Sequence, residues 1–444
     1  MNFPPMSTIL KQYAGFQAGC LDPTDEVRSS LNRAIEKRAD HVFIKLTPER
    51  ALAAAEQSAR RFALRNDLGP LDGITIVWKD LFDQVGEVTT AGSKSRKSVP
   101  VAKSNAACVD LLENAGCCSL GRTNLSEFAF SGLGINPHFG TPANAISKDS
   151  TRIPGGSSSG SAVAVALNIA TIGIGTDTSG SVRIPAALNG IVGFRPSQER
   201  YDRTGVFALS ASLDTIGTFA KSVEDIALVD QILTKSSSRG RTSDLDRTIY
   251  DLSDSLDTEW DDDVYEKYLS TLRSYEQLGY KIKVKNLNVF RQAADLFQKY
   301  GVLVAIEAKR VHKSILEGPD RHLLDPMIAM RLRAAPVLST PIYKEYLRKR
   351  NDAIVDTKSE IGTALVSFPT VPRTAPALSE ISESVDIAAR ENARMLSNTM
   401  IASFLDLPGI SMPTGSDKDG LPGSILLSCA QGNDEALLSH AKRL

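Results

Sequence analysis

Gly155-Gly-Ser-Ser-Ser-Gly-Ser161, an apolar run, and then Gly175-Thr-Asp-Thr-Ser-Gly-Ser-Val-Arg-Ile-Pro185 decide the reading of this chain. Between the two glycine- and serine-rich loops, Ala162 to Ala170 is small and apolar and reads as a helix capped by Ser161. Thr171 to Gly175 reads as a short buried strand bounded by glycine. A loop, a helix, a strand and a second loop can bring two serine clusters together. Each loop offers several backbone N–H groups, the kind of donors that hold an oxyanion during acyl transfer.

Three readings of the first loop compete on the residues alone. Residues 156–160 spell G-x-S-x-G, which would make Ser158 a nucleophile elbow. That motif follows directly on a strand, however, and Ser150-Thr-Arg-Ile-Pro154 is a turn-like run ending in proline. A glycine-rich loop at a helix N-terminus also makes a phosphate cradle. No G-x-x-x-x-G-K-[ST] occurs, which argues against a nucleoside triphosphatase. The plainest reading is a turn that serves helix–sheet packing. The second cluster, Thr176 to Ser181, shifts the balance towards chemistry.

Both halves together resemble the amidase signature family, whose central pattern is a GGSSxGS loop followed by GTDTxGSxRxPA. The spacing is family-like, with Ser157 lying 24 residues before Ser181. Upstream, Gly73-Ile-Thr-Ile-Val-Trp-Lys79-Asp80 resembles the family segment that ends in Lys-Asp. The likeness extends to Gly121-Arg-Thr-Asn-Leu-Ser-Glu-Phe128 and Gly190-Ile-Val-Gly-Phe-Arg-Pro196; it covers residues 50–235 well and the remainder loosely.

What the resemblance implies is an α/β fold, a large mixed, twisted sheet with helices on both faces, in one domain over residues 1–444. Within it, residues 50–235 would be the signature core, 236–365 a variable substrate-shaping part, and 366–444 a return to the core. The implied chemistry is a Ser–Ser–Lys relay. Ser181 attacks an amide carbonyl, Ser157 (behind a cis peptide) shuttles the proton to the leaving amine, neutral Lys79 is the base, and water cleaves the ester. Backbone N–H groups of Thr178, Ser179, Gly180 and Ser181 would form the oxyanion hole. Asp177 and Arg183 would brace that loop, and Ser131 and Gly132 would contact substrate. Ser158, Ser159 and Ser161 read as structural. The family works without cofactor or metal and is often homodimeric. Two residues depart from its pattern: Ser179 stands where glycine is common, and Trp78 replaces a small or aliphatic residue and would narrow the space near Lys79. Similarity to the A-type component of glutamyl-tRNA amidotransferases through residues 121–235 keeps open an amidotransferase component that works in a complex. An esterase using Ser158 with a histidine is a third possibility, and a stand-alone amidase acting on a small amide is preferred.

The rest of the chain sets bounds on function. Its 444 residues, 42% hydrophobic and 23% charged, have an ordinary globular composition. A net charge of −1 gives no argument for nucleic acid or an anionic membrane as partner. Five cysteines, odd in number and without CxxC spacing, argue against a zinc site or disulfide framework and for a reducing cytoplasm. No signal-peptide series opens the chain, and Ala162 to Gly175 is too short and glycine-broken to span a bilayer. None of the five histidines lies in a Ser-His-Asp-like motif, and His138 reads as a loop histidine. Asp261, Asp262 and Asp263 read as a solvated helix start. Helices are expected at 24–40, 49–65, 104–115, 223–233, 263–278 and 389–405. Strands are expected at 74–78, 117–120, 280–284 (an edge), 366–372 and 407–413, and a linker at 236–241. A lysine delivered by the buried strand Ile74–Trp78 is a candidate base, because desolvation lowers its pKa.

Overall fold

Ile74, Ile76 and Val77 before Lys79, and Ile172 and Ile174 on either side of Gly173, are the kind of uncharged run that strands buried on both faces require. In the computed structural model, which describes residues 7–148, 151–234, 245–256 and 258–444, these two runs lie side by side within one sheet. Its eleven strands are β1 (Phe43–Leu46), β2 (Thr75–Lys79), β3 (Cys118–Thr123), β4 (Ile172–Thr176), β5 (Val192–Arg195), β6 (Ile216–Ala220), β7 (Thr248–Asp251), β8 (Lys281–Val284), β9 (Leu365–Pro369), β10 (Gly409–Ser416) and β11 (Pro422–Ser428). They run in the order β1-β3-β2-β4-β6-β5-β10-β11-β9-β7-β8.

The sheet is mixed, as expected. β2 is parallel to β3 and β4, β7 is parallel to β8 and β9, and the other pairs are antiparallel. β10 pairs with β5 in the register Gly409↔Arg195, which stitches the C-terminal part of the chain to the signature half. Side chains of β2 alternate between two cores. Ile76 and Trp78 pack with Phe82 and Leu112 on one face, while Val77 packs with Ala51, Ala55 and Val163 on the other. Lys79 shares the face of Val77.

Most expected elements are present with shifted ends. The helix expected at 24–40 stops at Ala34 and is followed by a single turn of 3-10 helix, Lys37–Ala39. The helix between the serine loops runs Ser159–Ala166, earlier than expected, and Asn168 at φ +58° follows its end. Ser161 is therefore inside the helix and caps nothing; its hydroxyl donates to the Ile174 carbonyl at 3.0 Å. The 223–233 helix matches residue for residue, and Lys281–Val284 is the edge strand expected. β1, β5, β6, β7 and β11 have no counterpart among the expected strands. The linker at 236–241 and Ser150 lie outside the described residues. No helix of the described residues is long and apolar enough to cross a membrane.

Candidate active site

Lys79 and Thr176 are the last residues of two parallel neighbours, β2 and β4, so both side chains emerge at the same edge of the sheet. The carboxyl ends of parallel strands are where α/β sheets place their ligands. Lys79 is wholly buried; its Nζ donates to Ser157 Oγ at 2.6 Å and to Thr176 Oγ1 at 2.9 Å. Burial drives the amine down from 10.5 to about 7, although Asp177 and Asp214 favour the charged form. Neither is within ion-pair distance, so the ammonium gains no direct salt bridge among the described residues. The sequence places Thr176 in the second cluster but gives its hydroxyl no role, because that role exists only once β4 lies beside β2.

The Gly156–Ser157 peptide is cis. The Ser158 N–H donates to the Ser181 carbonyl at 3.2 Å, which ties the first serine loop to the second. Gly156 donates to Gly132, and a Cβ on Gly156 would run into the backbone of Gly134, so this crossing of chain segments needs glycine. Lys79, Ser157 and Ser181 are thus brought together from three separate stretches of sequence.

The second loop is wound around one carboxylate. Asp177 Oδ1 accepts from the Gly180 N–H at 2.7 Å, and Oδ2 accepts from the N–H groups of Val182 and Arg183 at 3.1 and 3.3 Å. The Arg183 guanidinium adds a fork, Nε to Oδ2 and Nη2 to Oδ1, both at 2.9 Å. Burial by itself would raise the Asp177 carboxyl, but Arg183, Arg195 and the backbone donors hold it at about 2. Arg183 also reaches Ser403 Oγ at 2.6 Å, and Thr399 Oγ1 donates to the Ser179 carbonyl at 2.6 Å. Both partners belong to the Val385–Phe404 helix. Asp177 and Arg183 thus tie the loop to itself and to that helix.

Of the four expected oxyanion donors, the structure commits the Gly180 N–H to Asp177, which removes it from the set. The backbone N–H groups of Thr178, Ser179 and Ser181 have no acceptor among the described residues. Such unspent buried donors are uncommon. Gly180 is needed for shape instead: its φ is +131°, and a Cβ there would collide with Thr399 Oγ1.

Thr178, Ser179 and Ser181 line one small cavity together with Ser131, Phe130, Leu209 and Arg331. Ser131 lines the cavity, with its hydroxyl donating to Asn392 Oδ1 at 3.1 Å. Gly132 is not in the wall: its N–H donates to Asn392 Oδ1 at 2.8 Å and its carbonyl accepts from Gly156, so it is a structural residue. The expectation for Trp78 is also corrected. It points to the opposite face of β2 from Lys79, where its Nε1 donates to Ser119 Oγ at 2.9 Å, and it takes no space from the lysine.

The serine–histidine alternative finds no support in the geometry. Ser158 Oγ is buried and donates to the Thr176 carbonyl at 3.3 Å. His138 is 3.0 Å from the buried Glu127 carboxylate. His312 stacks against both Phe128 and Phe207, and burial lowers it to about 4.

Comparison with known proteins agrees with this architecture. The family model for Amidase matches residues 25–438. The chain is 32% identical over 374 residues to a 2-amino-5-chloromuconic acid deaminase of Comamonas testosteroni, spanning 81% of this chain and 78% of that one. The A-type component of the glutamyl-tRNA(Gln) amidotransferase of Ralstonia nicotianae is 44% identical over 210 residues, 47% of this chain and 42% of that one. A crystal structure of an amidase superposes with a TM-score of 0.87 at 28% identity, covering 98% of both chains. On the sequence match, the sheet and the placement of its serine loops, this chain belongs to the amidase family, enzymes that hydrolyse amide bonds.

Proposed function

We propose that the chain is a stand-alone amidohydrolase, folded as one unit, that cleaves a small amide through an acyl-enzyme on Ser181. The observation that carries this reading is the 2.6 Å contact between the buried, proton-poor Lys79 amine and Ser157 Oγ, in a loop hydrogen-bonded to Ser181. A serine becomes a nucleophile only when a base takes its proton. In the proposed step Ser181 Oγ bonds to the carbonyl carbon while its proton passes to Ser157 Oγ, whose own proton moves to neutral Lys79. The carbonyl oxygen gathers negative charge against the free N–H groups of Thr178, Ser179 and Ser181. Collapse breaks the C–N bond, the relay returns a proton to the leaving nitrogen, and water cleaves the ester by the reverse path.

A relative named as a deaminase supports ammonia as the leaving group. A component of an amidotransferase complex is the second reading. The chain spans less than half of that relative's length, whereas the deaminase and amidase matches run through most of both chains, which favours an enzyme acting alone. The test is ammonia release from a panel of amides by wild type, Ser181→Ala and Lys79→Ala. Release that disappears in Ser181→Ala and nearly so in Lys79→Ala is the expected result. Full activity in either variant overturns the mechanism.

A further inference from the structure

The cavity in front of Ser181 contains two polar groups that neither the proposed relay nor the surrounding hydrogen bonds use up. One is the Ser179 hydroxyl, which is buried and has no hydrogen-bond partner among the described residues. The other is the guanidinium of Arg331, on the Pro326–Ala334 helix. It lies over the Phe130 ring, 4.2 Å from the centroid, and donates from Nη1 to the Phe130 carbonyl. No carboxylate forms an ion pair with it among the described residues. Asp325, the acid whose field reaches it, is occupied in capping the same helix, accepting from the Met327 N–H at 2.8 Å. Burial lowers the guanidinium to about 10. Arg331 is half-buried, and a partly desolvated charge that faces a cavity gains from an anionic partner there. Here one bonded carbonyl and a ring face leave most of the five donors unspent.

We propose that Arg331 and the Ser179 hydroxyl form an anion subsite, so that the substrate's acyl group carries a carboxylate: the enzyme hydrolyses the monoamide of a short dicarboxylic acid. This rests on the amidase reading of Ser181 and specifies its substrate. The rest of the wall argues for a short, uncharged spacer, since Leu209, Val304 and Leu396 offer it only apolar surface. Free volume is about 20 Å³, room for about one water, so a substrate enters only if wall side chains shift, and the subsite places that shift at Arg331, displaced from Phe130. A carboxylate compensates that displacement with a two-pronged ion pair, and a neutral amide of the same length does not. Ser179, where glycine is common in the family, carries its hydroxyl on the same residue as one of the expected oxyanion donors. Substrate selection and transition-state stabilisation therefore share one loop.

Two measurements test this. First, kcat/KM is compared for malonamate and succinamate against propionamide and butyramide, in wild type, Arg331→Gln, Arg331→Lys and Ser179→Ala. Wild type is expected to favour the anionic amides. Arg331→Gln should raise their KM about 10- to 100-fold with little change for the neutral pair, in line with the worth of a charged hydrogen bond. Arg331→Lys should recover part of the loss, and Ser179→Ala should raise KM several-fold. Second, malonamate and succinamate binding to Ser181→Ala is measured by calorimetry, with and without Arg331→Gln. This arm needs no turnover. Binding abolished by Arg331→Gln supports the subsite even if no amide is hydrolysed, a result that would sink the amidase reading alone. Neutral amides turned over as well as anionic ones, with Arg331→Gln indifferent, overturns the subsite and leaves the amidase reading intact. If Arg331→Gln does not fold, Arg331→Lys and Ser179→Ala decide: unchanged KM for succinamate in both overturns the proposal.

Discussion

Replacing Lys79 by methionine, a side chain of similar length without the amine, should make the protein more stable, and by an amount that depends on pH. In the unfolded chain this lysine holds its proton up to about pH 10.5, whereas in the fold burial allows it to do so only to about pH 7. Between those values the unfolded state binds more protons, so the wild type gains stability as pH rises through that window. At pH 7 and below, the lysine's burden on folding is close to its full value, about 5 kcal/mol at roughly 1.4 kcal/mol per pH unit. At pH 9 about 2 kcal/mol remains, and near pH 11 almost nothing. The hydrogen bonds to Ser157 and Thr176 that Lys79→Met also removes shift every pH alike, so the difference between pH values isolates the amine. Urea unfolding of both proteins at pH 7, 8 and 9 gives the measurement. The stability advantage of Lys79→Met should shrink by about 2 to 3 kcal/mol from pH 7 to pH 9. An advantage that does not change with pH would show that Lys79 is protonated in the fold, and the proton-poor base at the centre of the mechanism would be lost.

The remaining predictions concern its surroundings. The same titration governs catalysis: kcat/KM for any amide turned over should fall about tenfold per pH unit below about pH 7 and level off above it, read from a pH–rate profile. Thr176→Val removes the second acceptor from Lys79 and should lower kcat more than it raises KM, with the acidic limb of that profile displaced. Arg183→Leu leaves the Asp177 carboxylate buried with its guanidinium fork gone and should cost about 3–5 kcal/mol in denaturant unfolding. Gly180→Ala forces a side chain into a positive φ and against Thr399; activity should collapse, and Thr399→Ala should restore only part of it, because the backbone strain stays.

What the sequence makes legible follows a physical division. Ser157 and Ser181 can be picked out because glycines must surround them: close chain crossings and positive φ leave a local spacing that can be read in one dimension, and Lys79 stands out as the charge that ends an uncharged strand run. Thr176, Asn392, Thr399 and Arg331 cannot, since each matters only through a partner far away in the chain. Arg331 sits in a basic helix that, on paper, is indistinguishable from a solvated one. Trp78 misleads through its proximity in sequence, although neighbours along a strand face opposite sides of the sheet. Ser161 reads as a cap only if the helix begins where the apolar run begins, whereas the turn of serines before it is already helical. β6 and β11 escape a search for apolar pattern because Gly217 and the Pro422-Gly423 start dilute it.

The Val385–Phe404 helix connects these elements in a way neither loop shows by itself. Asn392 holds the Ser131–Gly132 turn, Leu396 lines the cavity, Thr399 holds the Ser179 carbonyl, and Ser403 holds Arg183. Their spacing of four, three and four residues puts all of them on one helix face. One rigid element thus sets the wall of the substrate cavity and the position of the nucleophile loop together. Leu396 is the exception within that face, since it touches the cavity but makes no hydrogen bond to either loop. A change at Leu396 can reshape the acyl space while the Asp177–Arg183 brace stays intact, whereas a change at Thr399 moves the oxyanion donors along with the wall. Substrate range can therefore drift at one position of this helix while the chemistry is held fixed by its neighbours a turn away.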